Sequence, residues 1–523
     1  MAPACLFAAF LLALIAGLAL TPVVIRIALR LNAIDAPDGG RKHQASAVPL
    51  GGGLTVAACT AVGALTILTC SPPVASAGNQ SLLLTGLISA AAVLLVVGLI
   101  DDFVGLTGIY KLVGQVLAAT MLAAGGTQFH SLSLLGLPFE LGSFALPFSV
   151  FFILGAVNAF NLIDGSDGLA GSIGIVVLLT LGTISAAQGN ALLATISFAA
   201  AGAVAGFLPY NWAPARIYLG DTGSMLIGLI VAFVAVESSI KQQAAAALAV
   251  PIAVCAIPIL DVVAALVRRI TTGQSVFTPD RGHLHHALLL KGLSVGQTAL
   301  LAAGLTAVTC VGALASYYFR QDWPAMVSVA FVIGGLASLR IFGHAEARLV
   351  ATHARTGWGG LWRRVRRNAV VGGQTDHAIP IQGSREWDDL WTAMRESAPK
   401  YGICSLRLNV NIPRLHEAFY GNWRLRDAPG KSSDEPWRLV MPLYCGGQAV
   451  GKLTLAGRPG SQEGPDLEML AAYMQPLQDQ MQQIVNRLSP AEKPSAADTP
   501  SSSTKSAGPA GAKSGSQHLA AGV

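Results

Sequence analysis

Four short stretches of this chain carry ionisable and amide side chains inside otherwise apolar sequence. They are IDDFVGL, with Asp101 and Asp102; NAFNLIDGSDGLAGS, with Asn158, Asn161, Asp164 and Asp167; YLGDTGS, with Asp221; and PDRGHLHHALL, with Asp280, Arg281, His283, His285 and His286. Five carboxylates, Asp101, Asp102, Asp164, Asp167 and Asp221, cannot share a small site unpaired, because like charges raise one another's pKa and cost energy. A hard divalent cation resolves this. Oxygen-only donors favour Mg2+, with Mn2+ the alternative, and such ions keep several waters while taking one or two protein ligands plus substrate phosphates. The Asp-Asp pair alone would equally suit a solvated helix end. Asn158 and Asn161 are three apart, and Asp164 and Asp167 continue that spacing, so a helix would carry them as a drifting polar stripe. Gly165 and Gly168 predict that the helix frays or opens there.

The histidine stretch has three readings. The spacing H-x-H-H fits no common structural zinc pattern, and no cysteine is close in sequence. Arg281 and the histidines could instead cradle an anion, holding phosphates by charge and hydrogen bonding. The third reading is a plain polar loop. A magnesium site opposite a cationic loop at a membrane surface fits phosphoryl transfer from a nucleotide diphosphate, in which metal and cations neutralise charge on the bridging and leaving phosphates.

The elements that must position these residues are membrane helices. The chain has 523 residues, 53% hydrophobic and 12% charged, against about 25% charged in ordinary soluble domains. Its mean hydropathy is +0.56. A bilayer core about 30 Å thick needs roughly 20 apolar residues per helix. The apolar segments are 4–28, 50–70, 82–100, 107–125, 143–162, 170–187, 190–209, 222–239, 245–267, 295–316 and 323–341. The expectation is therefore an all-α polytopic membrane protein of about eleven transmembrane helices.

An odd number of spans puts the termini on opposite sides. One set of alternating loops holds Arg26, Arg30, Arg41, Lys42, Lys111, Arg216, Arg268, Arg269, Arg281, Lys291 and Arg340, whereas the other holds only Lys241 and Arg320. Positive charge marks the cytoplasm, so the N-terminus is expected outside and the C-terminus inside. All four polar clusters then fall at cytoplasmic helix ends. Ionisable residues at membrane depth are costly and mark function. An ion-coupled transporter, the remote alternative, would place its acids mid-span; these lie at span ends on one side, and no repeat symmetry is visible.

Composition excludes several other classes. The net charge of +6 is no argument for nucleic acid, because membrane proteins keep Lys and Arg on their cytoplasmic side. Seven cysteines without a C-x-x-C suggest neither a zinc ribbon nor a disulfide scaffold. The first apolar run, CLFAAFLLALIAGLALTPVVI, has no cationic region before it and no convincing cleavage site, so it is expected to be a retained span.

The motifs DDFVGL, NAFNLIDGSDGLAG, GDTGS and PDRGHLHHALL, in that order, closely resemble those of the polyprenyl-phosphate N-acetylhexosamine-1-phosphate transferases, and within them the bacterial undecaprenyl-phosphate GlcNAc-1-phosphate transferases. The early loop DAPDGGRKHQASAVPLGGG is similar too, and the resemblance covers about residues 5–340. It implies an eleven-span enzyme of the bacterial inner membrane with its site on the cytoplasmic face. The implied reaction moves GlcNAc-1-phosphate from UDP-GlcNAc to a membrane polyprenyl phosphate, with UMP leaving. Carried over to this chain, the resemblance implies Asp221 and Asn161 as magnesium ligands. Asp101 would deprotonate or orient the lipid phosphate, with Asp102 beside it. Lys111 would contact the nucleotide diphosphate, Asn158 would bind substrate, and Asp164 and Asp167 would be catalytic acids lining the site, Asp167 touching the nucleotide. Arg281, His283, His285 and His286 would hold the diphosphate and help to recognise the sugar. The related MurNAc-pentapeptide transferases carry an HHH run, so H-L-H-H after P-D-R-G favours the smaller amino sugar. Another UDP-N-acetylamino sugar is the alternative substrate. A homodimer is among the partners to be tested.

Residues 1–341 thus form the expected transferase domain. Residues 342–374 read as a basic, Trp-containing linker suited to an anionic leaflet, or as a plain solvated one. Residues 375–490 read as an α+β cytoplasmic domain. WRLVMPLYCGGQAVGKLTLAG places two apolar runs around Gly446-Gly447, a hairpin signal. GPDLEMLAAYMQPLQDQMQQIVNRL has helical periodicity, with a break or kink expected at Pro476. This arrangement resembles a GAF-like sensory or dimerisation domain. Residues 491–523, rich in Ala, Ser, Pro, Gly and Lys, are expected to be disordered.

Overall fold

The computed structural model describes residues 3–35, 47–70, 78–134, 137–240, 248–272, 282–348, 350–351, 375–382, 386–412, 417–425, 437–445 and 448–457, with short pieces between 468 and 487. Asp280, Arg281, most of the basic linker, Gly446-Gly447, Pro476 and the 491–523 tail lie outside the described residues.

The first 340 residues are helical. In chain order the helices are α1 (Pro3–Arg30), α2 (Gly52–Cys70), α3 (Gly78–Val104), α4 (Gly108–Ala124), α5 (Ala145–Ile163), α6 (Leu169–Ala187), α7 (Ala191–Asn211) and α8 (Gly220–Ile240). There follow α9 (Ala249–Val254), α10 (Ala256–Thr272), α11 (Leu284–Leu290), α12 (Val295–Phe319) and α13 (Trp323–Ser338). Two small hairpins interrupt them: β1 (Ile34–Asp35) with β2 (Val48–Pro49), and β3 (Ser131–Leu134) with β4 (Leu137–Glu140).

Seven of the described helices are long and apolar enough to cross a membrane, and three more, around 52–66, 108–124 and 323–338, are apolar but shorter. The chain is a multi-pass membrane protein, mostly helical. Each apolar segment found in the sequence coincides with a helix, except that 245–267 is divided into α9 and α10 at Cys255. Pro258 accounts for the break. It has no N–H to donate to the carbonyl of Val254 and its ring crowds that carbonyl, whereas the first turn of a new helix accepts proline.

Helix α8 lies at the centre. The apolar window that qualifies it as a span is wholly buried, against roughly a fifth of the window in α1. It touches α2, α3, α5, α6 and α7. Large exposed apolar side chains such as Phe7, Ile15, Val96 and Phe151 sit on the outer helices, as a lipid-facing surface requires. Chain direction alternates between consecutive spans. The C-terminal ends of α3, α5, α7 and α10 therefore meet the N-terminal ends of α4, α6, α8 and α12, and this is the end that carries the polar clusters.

Beyond the bundle, an antiparallel sheet of β5 (Thr375–Gln382), β6 (Ile403–Ile412), β7 (Glu417–Arg424), β8 (Trp437–Cys445) and β9 (Gln448–Gly457) has the order β5-β7-β6-β9-β8. Helix α14 (Glu386–Ser397) buries Trp387, Leu390, Trp391 and Met394, one face at helical spacing. These join a core containing Leu406, Leu408 and Val410, which alternate along β6, with Phe419, Trp423, Leu453 and Leu455. β8 pairs with β9 from Trp437↔Gly457 to Cys445↔Gln448, so the two strands flank Gly446-Gly447 as the hairpin signal implied.

Candidate active site

Asp101 and Asp102 end α3. Asp101 Oδ1 accepts the Leu106 N–H at 2.6 Å, which fixes the turn into α4. Lys111, in the first turns of α4, places Nζ 3.0 Å from Asp101 Oδ2 and also pairs with Asp221 Oδ2. One ammonium thus joins two carboxylates from two other helices.

Asp102 turns to α8 instead. Its oxygens accept from the Asp221 N–H at 2.8 Å, the Thr222 N–H at 3.3 Å and the Thr222 hydroxyl at 2.7 Å. These amides open α8 and have no partner within it, and a carboxylate also complements the positive end of the helix dipole. Gly220 makes this possible. Its φ is +72°, and a Cβ there would stand 2.6 Å from Asp102 Oδ2.

Asn161, near the end of α5, donates to Asp221 Oδ1 at 2.6 Å and to Ser224 Oγ at 3.1 Å. Asn158 lies one turn earlier and donates to its own helix, to Leu154 O at 2.9 Å. No described contact ties it to the other candidates. The helix ends at Ile163, so the polar stripe breaks just before the two glycines. Asp164 follows in the opened turn. It keeps part of its surface open but lies deep among protein atoms. Burial pushes its carboxyl well above the usual carboxylate range; repulsion from Asp221, Asp102 and Asp167 adds to the rise, and Lys111 opposes it. Asp167 Oδ2 accepts the Ala215 N–H at 3.0 Å and steadies the loop before α8. Asn211 helps, accepting from Gly168 N at 3.0 Å and donating to Ile217 O at 2.9 Å.

The histidines open α11. Nδ1 of His283 lies 2.8 Å from Asp261 Oδ2, and Asp261 Oδ1 accepts the Leu284 N–H at 2.7 Å. His285 is 3% exposed, and neither ring nitrogen has a hydrogen-bond partner among the described residues. Its ring lies against Gly165, where a Cβ would come within 2.6 Å of Cε1. Burial pushes its pKa down to about 3, with His286 adding to the effect, so His285 is neutral. Its ring centroid is 4.1 Å from that of His286. Desolvation at His285 outweighs the pull of Asp261. Arg281 falls outside the described residues.

The four polar clusters are thus linked by contact. Lys111 joins Asp101 to Asp221, Asn161 joins Asp221 to α5, and Gly165 joins the α5–α6 turn to His285. Among the described residues no three His, Cys, Asp or Glu side chains converge as a closed metal cage. Magnesium needs none, since water and substrate phosphate complete its shell. The residues present fit such an ion. Asp221 and Asn161 face each other, and a half-turn of the Asn161 amide would present its oxygen in place of its nitrogen. A cation would relieve the repulsion that, after burial, adds to the rise in the Asp164 pKa.

Sequence reasoning missed Asp261 and Arg268 as parts of this site. Asp261 is 1% exposed and lies in an apolar segment, which was itself the available signal. Arg268 sits seven residues on, on the same face of α10, and is 5% exposed.

Comparison with known proteins places the chain among related sequences. Residues 84–239 match Glycosyl transferase family 4. The chain is 33% identical over 295 residues to a Bacillus subtilis protein named "probable undecaprenyl-phosphate N-acetylglucosaminyl 1-phosphate transferase", covering 56% of this chain and 80% of the relative. It is 34% identical over 346 residues to a Mycobacterium tuberculosis decaprenyl-phosphate N-acetylglucosaminephosphotransferase, covering 61% and 84%. An undecaprenyl-phosphate alpha-N-acetylglucosaminyl 1-phosphate transferase of Escherichia coli K12 is 29% identical over 356 residues, covering 66% and 91%.

Proposed function

We infer the reaction from one premise: this chain belongs to glycosyl transferase family 4, among its polyprenyl-phosphate N-acetylglucosamine-1-phosphate transferases. It transfers GlcNAc-1-phosphate from UDP-GlcNAc to a membrane polyprenyl phosphate. An oxygen of the lipid phosphate bonds to the phosphorus that carries the sugar, the bond from that phosphorus to the bridging oxygen breaks, and UMP leaves with the electron pair. The observation that carries this reading is the contact chain from Asp101 through Lys111, Asp221 and Asn161 to the His285–Gly165 pair, all at one end of the bundle.

In this reading Asp221 and Asn161 hold Mg2+, or Mn2+ in its place, and the bound ion supplies charge neutralisation on the phosphates. Asp101, held by Lys111 and the Leu106 amide, orients or deprotonates the lipid phosphate. Lys111 meets the nucleotide diphosphate when the acids are engaged elsewhere. Asp102 acts on Asp221 through the α8 N-terminus. Asp164 and Asp167 line the donor side. His286, Arg281 and neutral His285 face the diphosphate and sugar, His285 as a hydrogen-bonding partner and not as a cation.

The finer topology is part of the same proposal: eleven spans, N-terminus outside, and the site on the cytoplasmic face of the bacterial inner membrane, supported by the distribution of Lys and Arg. The sheet domain, GAF-like in its proposed kinship, serves regulation or homodimer formation. The reaction is tested by incubating purified protein with UDP-GlcNAc, undecaprenyl phosphate and Mg2+ and following UMP. Wild type should release UMP in step with lipid-linked sugar, and Asp221→Asn should fold but not turn over. Release of UMP by Asp221→Asn at the wild-type rate in low Mg2+ would remove the metal assignment.

A further inference from the structure

The histidine loop meets α10 at two places. Asp261 holds His283 and the Leu284 amide directly. Two helical turns later, Arg268 lies under Gly282, the residue just before His283: a Cβ on Gly282 would stand 2.6 Å from the guanidinium carbon. Asp261, Ala264, Ala265 and Arg268 are all buried, so this is the inward face of α10.

The two contacts differ in what they need. Asp261 faces a histidine of the loop itself. Arg268 also pairs with a carboxylate far along the chain, Glu346, beyond the end of α13. Glu346 is 9% exposed, and Phe342, at 4%, places its ring 5.9 Å from the Arg268 guanidinium carbon. A buried guanidinium that loses its carboxylate is strongly disfavoured and moves toward water or a new partner. A shift of Arg268 in that sense would take it away from Gly282.

We propose that Glu346 is a positioning residue for the histidine loop: by holding Arg268 beneath Gly282, it ties the segment that leaves the last apolar helix to the side chains that receive the sugar nucleotide. The proposal rests on the reading that this loop faces UDP-GlcNAc. It gives the chain leading to the cytoplasmic sheet domain a direct mechanical hold on the donor side of the site.

The test uses the full-length protein. Glu346→Gln keeps the shape of the side chain and removes its charge. A second variant, Arg268→Met with Glu346→Leu, removes both charges, an exchange that buried ion pairs often tolerate without loss of stability. Both should raise KM for UDP-GlcNAc by about tenfold, a modest loss for a misplaced binding loop, with kcat within about twofold and KM for undecaprenyl phosphate unchanged. Amide exchange should quicken in the peptide covering 282–291 and stay unchanged in the α5–α6 turn. A wild-type KM for UDP-GlcNAc in the folded double variant would overturn the proposal. So would equal losses for donor and acceptor, or unchanged exchange at 282–291. If wild type itself fails to use UDP-GlcNAc, the reaction reading fails, and the exchange experiment still decides whether Glu346 holds the loop.

Discussion

Lys111→Met should turn a self-neutralised acid cluster into a cation-dependent one. The Lys111 ammonium is the link between Asp101, 3.0 Å away, and Asp221, and the three side chains are 17%, 11% and 31% exposed. Methionine keeps the length of the stem and removes the charge. Stripping one partner from a buried ion pair costs about 3–5 kcal/mol. Partial exposure of Asp221 argues for the lower end, about 3 kcal/mol. By the scaling of soluble domains this is a fall in melting temperature on the order of 5–10 °C. The loss should be reversible by metal. With the ammonium gone, Asp221 and Asn161 face a carboxylate neighbour with no fixed cation, and Mg2+ at about 100 times its Kd would return about 2.7 kcal/mol. Wild type should respond less, because Lys111 already occupies these oxygens. The assay is thermal unfolding of both proteins in detergent, in chelator and across a Mg2+ series, without substrate. Equal melting of both proteins in chelator would show that the Lys111 bridge carries no energy. Equal Mg2+ responses would show that the ion does not bind at Asp221.

Three further outcomes follow from the same geometry. Asp164→Asn should raise the melting temperature in chelator at pH 7–8 while abolishing turnover. The folded state raises the Asp164 pKa, so it binds the proton more tightly than the unfolded chain, and wild type loses stability as pH rises above the ordinary carboxylate range; a variant no more stable than wild type there would contradict the assigned repulsion. His285 works in the opposite direction. Its folded pKa of about 3 lies below the unfolded value of about 6.5, so the unfolded chain takes up the proton first and stability falls as pH drops through that window. Relative to His285→Gln, wild type should lose about 2 kcal/mol between pH 7.5 and pH 5 in denaturant titrations, and parallel curves would refute the neutral, buried imidazole. Truncation after residue 372 should leave turnover in detergent intact, since every candidate catalytic residue precedes Gly292 and the truncated chain retains Glu346; a well-folded truncation that binds UDP-GlcNAc yet makes no product would place the sheet domain in the chemistry.

The apolar segments were legible because membrane thickness sets a length that sequence must honour, and each coincides with a helix. What the pattern could not give was the break at Cys255, where Pro258 divides a continuous apolar run. The polar clusters were legible for the opposite reason, as groups that apolar surroundings would not otherwise hold. Their division of labour was not. Asp101 and Asp102 are adjacent in sequence, yet one faces Lys111 and the other caps α8, because consecutive positions on a helix end point in different directions. Asn158 and Asn161 share a spacing, but only Asn161 reaches Asp221. His285 is one of three histidines in an apolar chain, and the sequence does not show that packing against Gly165 strips its water and lowers its pKa. Arg268 and Glu346, 78 positions apart, have no sequence pattern that joins them.

The central claim is that the sugar travels with its own phosphate. UDP-GlcNAc carrying a phosphorus label on the sugar-bearing phosphate, given to the purified protein with undecaprenyl phosphate and Mg2+, tests it in one experiment. The account predicts that the label moves into the lipid fraction together with GlcNAc while unlabelled UMP accumulates, and that neither occurs with Asp221→Asn. Label recovered as UDP, or sugar in the lipid fraction without it, would contradict it.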